Sequence, residues 1–484
     1  MLEKLDSILK FIPSIKKPDG PLSFKEKLKW TALIMTVYFL MFSIPAYGVN
    51  LVTVNSGIYQ LISIIFAARI GSLITVGIGP IVLASILLQL LMGAGLIKLD
   101  INNPEQKGRF QGIQKLTAII IAIVEAWIFA ATGYVPLISS SFFGIVVLQL
   151  ALGAIFVIFL DEMMTKYGIT SGINLFIAGG VAYAIIATTI SIIIPEAASA
   201  ISSGGAAAIP NAIMAFGPLF FAIIVFLISV YIYDIKVELP LAFSQFRGVG
   251  GRLPIPLLYV SVLPVILATS FVMSLDVWFR FLAGVSGSLA NLAKFIALYT
   301  PSNTGSVQLS GGLIYLISPI FPLPYPTQGG VGNYATYFTL LLSQSSPLYL
   351  PWGGNPIPVP EWVHVIIYTV VLVLLCIVFG KFWVEMTGQS PKSVAEQLQE
   401  VGWQIPGFRR DPRIIESILN KYIPTITVIG SVIVGLLAAL ATLTGAVGTG
   451  MGILLTVGIM YMTYQQIEQQ HMLEGYPALE KLLS

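Results

Sequence analysis

The sequence predicts an all-α membrane protein of ten transmembrane helices. Three observations carry that prediction. Of 484 residues, 56% are hydrophobic and only 10% charged, giving a mean hydropathy of +0.89. A soluble chain of this length needs far more charge to cover its surface. Ten apolar stretches approach the ~20 residues that a helix needs to cross the hydrocarbon core. The lysines and arginines between those stretches fall almost entirely on alternate connections, as the positive-inside rule requires.

Residues 1–29 carry seven lysines and no apolar run of the signal-peptide kind. Leu2, Leu5, Leu9 and Ile12 recur at helical spacing among Lys4, Lys10 and Lys16, which predicts an amphipathic helix on the membrane surface. A frayed polar tail fits the same residues. The spans are predicted near 30–46, 72–97, 115–136, 142–160 and 173–194, then 215–233, 257–275, 364–385, 425–445 and 450–466. The run from 51 through "RIGSLITVGIGPIVLASILLQLLMG" (69–93) is too long for one span, and no charged turn divides it. Residues 51–70 are therefore an irregular piece before the second span.

Most connections are short. Segment 236–256, "KVELPLAFSQFRGVGGRLPIP", reads as a basic loop rich in glycine and proline. Segment 386–424 is a longer basic loop with a helical middle and a turn at Pro406-Gly407. Segment 276–361 is rich in Pro, Gly, Ser, Asn and Tyr. Its apolar runs 313–321 and 336–342 are too short to span and read as surface helices or re-entrant pieces. Residues 471–484 read as a cytoplasmic tail. Of the 25 lysines and arginines, all but Arg69, Arg280 and Lys294 lie on the face shared by both termini, which is therefore cytoplasmic. That basic face suits anionic lipid or an anionic partner such as RNA.

Enzyme chemistry is poorly represented, and the sequence predicts no enzyme and no cofactor. Gly284-Val285-Ser286-Gly287 has the GxSG form of intramembrane serine proteases, a reading that needs a histidine at similar depth. The two histidines, His364 and His471, fall at the outer mouth of a span and in the tail, and both read as surface residues. Neither a phosphate-loop GxxxxGK nor an HExxH motif is present. The single cysteine, Cys376, rules out an internal disulfide and reads as a small packing residue.

Ion coupling is equally thin. Glu125 is the one ionisable residue deep in a span, whereas Asp161, Glu162, Asp234, Asp276 and Glu385 fall at span edges. Glu125 fits either a structural carboxyl group within the bundle or a polar latch between helices. The informative residues are glycines and prolines inside apolar segments: Gly77, Gly79 and Pro80; Gly172; Pro264; Gly448, Gly450 and Gly452. Non-helical backbone at membrane depth is tolerated only where protein buries it or where it lines an aqueous path. Aliphatic side chains flank each break, and an aliphatic constriction can close a path by dewetting.

At these residues the sequence resembles the SecY family of protein-conducting channels, on its archaeal and eukaryotic side. The matching stretches run in family order along almost the whole chain. They include "RIGSLITVGIGPIV", "FQGIQKL", "LDEMMTKYGITSGINLFIA", "YVSVLPVILA", "FWVEMTG", "PKSVAEQL", "PGFRR", "KYIPTITVIGS" and "TGMGILLTV". The resemblance implies two pseudo-symmetric five-helix halves forming a clamshell around an hourglass pore. It places the aliphatic pore ring on Ile78, Val82, Ile173, Ile177, Leu263, Ile266 and Leu455, and a plug near residues 52–70.

It also implies a lateral gate between helices 2–3 and 7–8, with Glu125 and Ser274 in its polar cluster. Leu83 and Ser274 stand where the family often has threonine and asparagine, which makes this cluster thinner. Arg247, Arg252 and Arg409 fall in the two cytoplasmic loops that dock the ribosome in the family. The partners implied are small single-span SecE/gamma-type and beta-type subunits, the ribosome, signal sequences, nascent chains and the lipid bilayer. The implied location is the cell membrane with both termini cytoplasmic. The outer loop 276–361 departs most from the family in length. Two other functions remain open on the residues alone: a secondary solute transporter, which the sparse intramembrane charge disfavours, and an insertase or scaffold without a conducting pore.

Overall fold

The structure is a computed structural model that describes residues 13–18, 20, 22–50, 67–93, 104–205, 208–243, 250–260, 263–280, 290–301, 307–319, 334–353, 355–400, 403–404, 412–448 and 450–475. A helix lies within each of the ten segments predicted to span. These helices are α1 (Phe24–Ser43), α2 (Gly79–Gly93), α3 (Pro104–Ala131), α4 (Phe143–Tyr167) and α5 (Gly172–Thr188) in the first part of the chain. A π turn at Thr189–Ile193 carries α5 into α6 (Ile194–Ser202), and α7 (Ala208–Ala215) leads to α8 (Gly217–Asp234). Further on come α9 (Leu263–Phe279), α13 (Glu361–Met386), α15 (Pro412–Leu443) and α16 (Gly450–Gly475). Six helical segments among the described residues are long and apolar enough to cross a membrane, and α2 and α9 are shorter apolar helices.

Several boundaries differ from the sequence prediction, each for a local reason. The first span begins at Phe24, because Ser23 and Glu26 form a capping box that starts the helix before its apolar run. The predicted span 72–97 becomes helical only at Gly79, just after Gly77 with φ +60°. Pro264 does not interrupt a helix. It stands in the first turn of α9, where its missing N–H costs nothing.

The helices before and after loop 236–256 meet along two seams. Helices α2 and α3 pack against α9 on one side, and α5 and α8 pack against α16 on the other. One continuous apolar cluster joins both sets. Residues 13–16 are held by side chains of α3 and α4. Lys115 Nζ donates to the Pro13 carbonyl at 2.6 Å, Ile15 N–H donates to Glu162 Oε1 at 3.1 Å, and the Tyr167 hydroxyl donates to the Lys16 carbonyl at 2.9 Å. Glu162 is itself paired with Lys115 at 2.5 Å and Lys166 at 2.7 Å.

The segment read as a glycine- and proline-rich loop is a hairpin. Strands β1 (Lys236–Phe243) and β2 (Gly250–Pro256) pair antiparallel, and β7 (Trp403–Gln404), from segment 386–424, adds to the other edge of β1. The two basic loops are therefore one joined surface. Segment 276–361 also has regular structure: α10 (Ala290–Ile296), a ribbon of β3 (Leu298–Pro301) and β4 (Val307–Gly311), α11 (Leu313–Ile317), α12 (Tyr334–Ser343), and a second ribbon of β5 (Ser345–Leu348) and β6 (Ile357–Pro360). Helix α14 (Pro391–Glu400) is the helical middle of segment 386–424.

His364 is a correction. It is not a surface residue but is fully buried one turn into α13. Its Nδ1 lies 3.0 Å from Glu361 Oε2 and its Nε2 3.0 Å from the Ser318 carbonyl, while the Tyr315 hydroxyl donates to Glu361 Oε1 at 3.1 Å. These bonds pin α11 and the outer segment onto the start of α13.

Candidate functional site

The approach to α2 is the least regular backbone in the core. Residues 67–78 follow neither helix nor strand, yet nearly all are buried and Arg69 alone is exposed. Buried peptide groups without partners are costly, so this stretch must find its bonds elsewhere. The Ala46 N–H donates to the Gly71 carbonyl at 2.8 Å and the Leu73 N–H to the Ile44 carbonyl at 3.1 Å. The Tyr38 hydroxyl donates to the Ala67 carbonyl. Thr75 Oγ1 accepts from the Gly71 N–H at 3.0 Å and donates to the Ser72 carbonyl at 2.6 Å. Helix α4 makes room by having no side chain at Gly153, where an added Cβ would lie 1.9 Å from the Leu73 carbonyl oxygen.

This bonded scaffold ends at Ile78, whose carbonyl accepts from Ile81 N–H at 3.0 Å and Val82 N–H at 3.2 Å and so starts α2. All seven residues assigned to the aliphatic ring lie in or against the same apolar cluster. Ile78, Val82, Ile177, Ile266 and Leu455 are buried within it, while Ile173 and Leu263 are partly buried and pack against it. They come from α2 and its approach, α5, α9 and α16, which means from both sides of both seams. The predicted plug, 52–70, falls outside the described residues except for 67–70.

The two predicted gate residues are not hydrogen-bonded to each other. Glu125, on α3, is buried at 2% exposure. The Trp278 indole on α9 faces its carboxyl group without a closed hydrogen bond. Ser274 is also buried, but its hydroxyl turns back to the Ser270 carbonyl at 2.7 Å within α9. Trp278 was not among the sequence-predicted residues. Its position one turn after Ser274 was the available signal.

A denser polar group lies at the outer end of the same seam. Arg280, just past α9 and 3% exposed, pairs with Asp276 at 3.0 Å. Its guanidinium carbon lies 4.6 Å from the centre of the Tyr134 ring, beyond the end of α3, and 5.7 Å from that of Tyr299 on β3. The Tyr299 hydroxyl donates to the Asp276 carbonyl at 2.8 Å and to Oδ1 at 3.0 Å. Burial and the adjacent Asp276 push the Tyr299 hydroxyl above the ordinary phenol range, so it stays a donor. In the sequence, Asp276 and Arg280 stood only as a span-edge acid and an outer base at helical i,i+4 spacing.

Of the predicted ribosome-docking residues, Arg252 lies on β2 opposite Pro240, whereas Arg247 and Arg409 fall outside the described residues. Among the described residues, no three His, Cys, Asp or Glu side chains gather as a metal site.

Comparison with known proteins places these features in a family. The SecY family model matches residues 72–464. The protein translocase subunit SecY of Methanocaldococcus jannaschii is 37% identical, and the alignment covers 100% of both chains. A solved structure described as that of a protein conducting channel matches with TM-score 0.77 and 36% identity, covering 97% of this chain and 98% of that one. Sec61 in the canine ribosome–channel complex from the endoplasmic reticulum matches with TM-score 0.74 and 35% identity, again over 97% and 98%.

Proposed function

The chain belongs to the SecY family, and from that premise we propose that it is the central subunit of a protein translocation channel. It passes secretory polypeptides across the cell membrane and releases transmembrane segments sideways into lipid. The observation that carries this reading is the approach to α2: irregular backbone buried at depth, ending among aliphatic side chains from both sides of both seams. A passing chain presents every kind of side chain, so its seal should be deformable and chemically indifferent. Branched aliphatics close around such a chain and hold no ion.

The finer reading has ten spans, with helices 1–5 facing 6–10 across a pore. Ile78, Val82, Ile173, Ile177, Leu263, Ile266 and Leu455 form its waist, and residues near 52–70 plug it. Signal sequences leave between α2–α3 and α9–α13, beside Glu125 and Ser274. Both termini are cytoplasmic, as the lysine and arginine distribution supports. The chain works with small SecE/gamma-type and beta-type subunits and performs no catalysis of its own. The elongating ribosome supplies the drive, docking on the surface shared by β1, β2 and β7. Pairing of the two basic loops in one sheet supports that surface.

Transport by vesicles containing the protein tests the function. Ribosomes translating a secretory reporter should deliver it to a protease-protected lumen. Uptake of a small solute with no movement of the reporter would instead favour a secondary transporter. Arg247→Glu, Arg252→Glu and Arg409→Glu should each weaken ribosome binding in co-sedimentation, most visibly at moderate salt, since arginine suits bidentate phosphate contact. Unchanged binding by all three would reject that docking surface.

A further inference from the structure

The Asp276–Arg280–Tyr134–Tyr299 group is not accounted for by the pore, the plug or the thinned polar cluster. It is also divided unequally between the moving parts. Asp276 and Arg280 belong to the end of α9, and Tyr299, on the adjoining ribbon, bonds Asp276 twice. Those three are tied together by an ion pair and two hydrogen bonds. Tyr134 belongs to the other side. It follows α3, is fully buried, and packs its ring against Phe129 of that helix at 4.6 Å. Between the two sides stands the guanidinium over the Tyr134 ring at 4.6 Å.

We propose that Arg280 is a latch on the outer end of the α3–α9 seam, with Tyr134 as its catch and Asp276 and Tyr299 as its mount. The latch is a positioning device for gating, and this inference rests on the channel reading above. A guanidinium in a water-poor site is drawn to an aromatic face more strongly than one in solvent. Parting the seam withdraws the ring while the mount stays intact, so the group opens at one defined plane and closes again in the same register. A hydrophobic segment entering the seam must displace this contact as well as the aliphatic packing. Latch strength therefore sets how hydrophobic a signal must be to open the gate. The outer segment gains a role, because β3 carries Tyr299 and so fixes the Asp276 carboxylate that holds Arg280.

The test compares two reporters in vesicles carrying the whole complex. One reporter has a full signal sequence and the other a signal with a shortened apolar core. Tyr134→Leu removes the aromatic face and leaves the Asp276–Arg280 pair in place. It should raise transport of the shortened-signal reporter relative to the full one by about fivefold to thirtyfold, the scale that losing one largely desolvated cation–π contact carries. Tyr134→Phe keeps the face and should stay within about twofold of the unaltered protein. Tyr299→Phe, which loosens the mount, should shift the ratio less and in the same direction. It also serves as the second variant should Tyr134→Leu fail to accumulate. An unchanged ratio in Tyr134→Leu or, if that protein fails to accumulate, in Tyr299→Phe would overturn the latch. So would a Tyr134→Phe effect as large as that of Leu. Failure of the unaltered protein to move even the full-signal reporter would instead overturn the channel reading, and the latch with it.

Discussion

The aliphatic cluster at the start of α2 and the charged group at the end of α9 both tie α9 to its neighbours, by opposite chemistry. The first gathers Ile78, Val82, Ile177, Ile266 and Leu455 from four places in the chain, none of them directional. In the proposed seal, any one could shift while the others keep water out. The second is a set of directed contacts, in which Arg280 meets Asp276 at 3.0 Å and the Tyr134 ring at 4.6 Å. Dispersion and exclusion of water suit a seal around a changing object, whereas a buried ion pair suits a fixed register. On the proposed channel reading, one end of the seam is built to yield, and the other to return to the same place.

Substitutions should separate the two. The largest effect is expected from polar or small residues throughout the waist, seen as ion leakage. Next comes Arg280→Leu, which leaves the Asp276 carboxylate buried without its charge partner. It should lower stability by ~3 kcal/mol or more, read as a fall in thermal stability in detergent. Asp276→Asn combined with Arg280→Leu should recover most of the loss.

A smaller loss is expected at the scaffold under the waist. Gly153→Ala puts a methyl group where the Leu73 carbonyl stands, at 1.9 Å, so the backbone of 67–78 or helix α4 must move. Overpacking of this kind costs ~1–3 kcal/mol, and the same thermal measurement should show it. Tyr38→Phe should cost least, ~1–2 kcal/mol, by leaving the buried Ala67 carbonyl without its donor.

Much of the scaffold was legible in the sequence, and the reasons are local. Apolar run length and basic residues between runs located a helix in every predicted span. The glycines and proline at 77–80 marked the break before α2, because their backbone constraints do not depend on what packs nearby. The ring residues were named through resemblance. Their spacing fits a packing stripe equally well, and only tertiary structure puts α2, α5, α9 and α16 side by side.

What the sequence hid was paired at long range. His364 looked exposed because nothing near it in sequence shows the Ser318 carbonyl 3.0 Å away. The strands at 236–256 were obscured by Pro240 and Pro254, which remove ladder donors, and pairing is visible only in the register Pro240↔Arg252. Gly153 was one small residue among many until the Leu73 backbone was seen against it. Arg280 was noted as an outer charge, but its two aromatic neighbours lie well over a hundred residues and about twenty residues away along the chain.

Single-channel conductance in planar bilayers tests the waist most directly. The unaltered protein at rest should pass almost no ions. Replacing Ile78, Val82, Ile173 and Ile177 together with Asn should raise resting conductance by about tenfold or more, because polar side chains keep the constriction wet. Resting conductance equal to that of the unaltered protein, in a variant shown to fold and to bind ribosomes, would contradict the aliphatic seal on which the account depends.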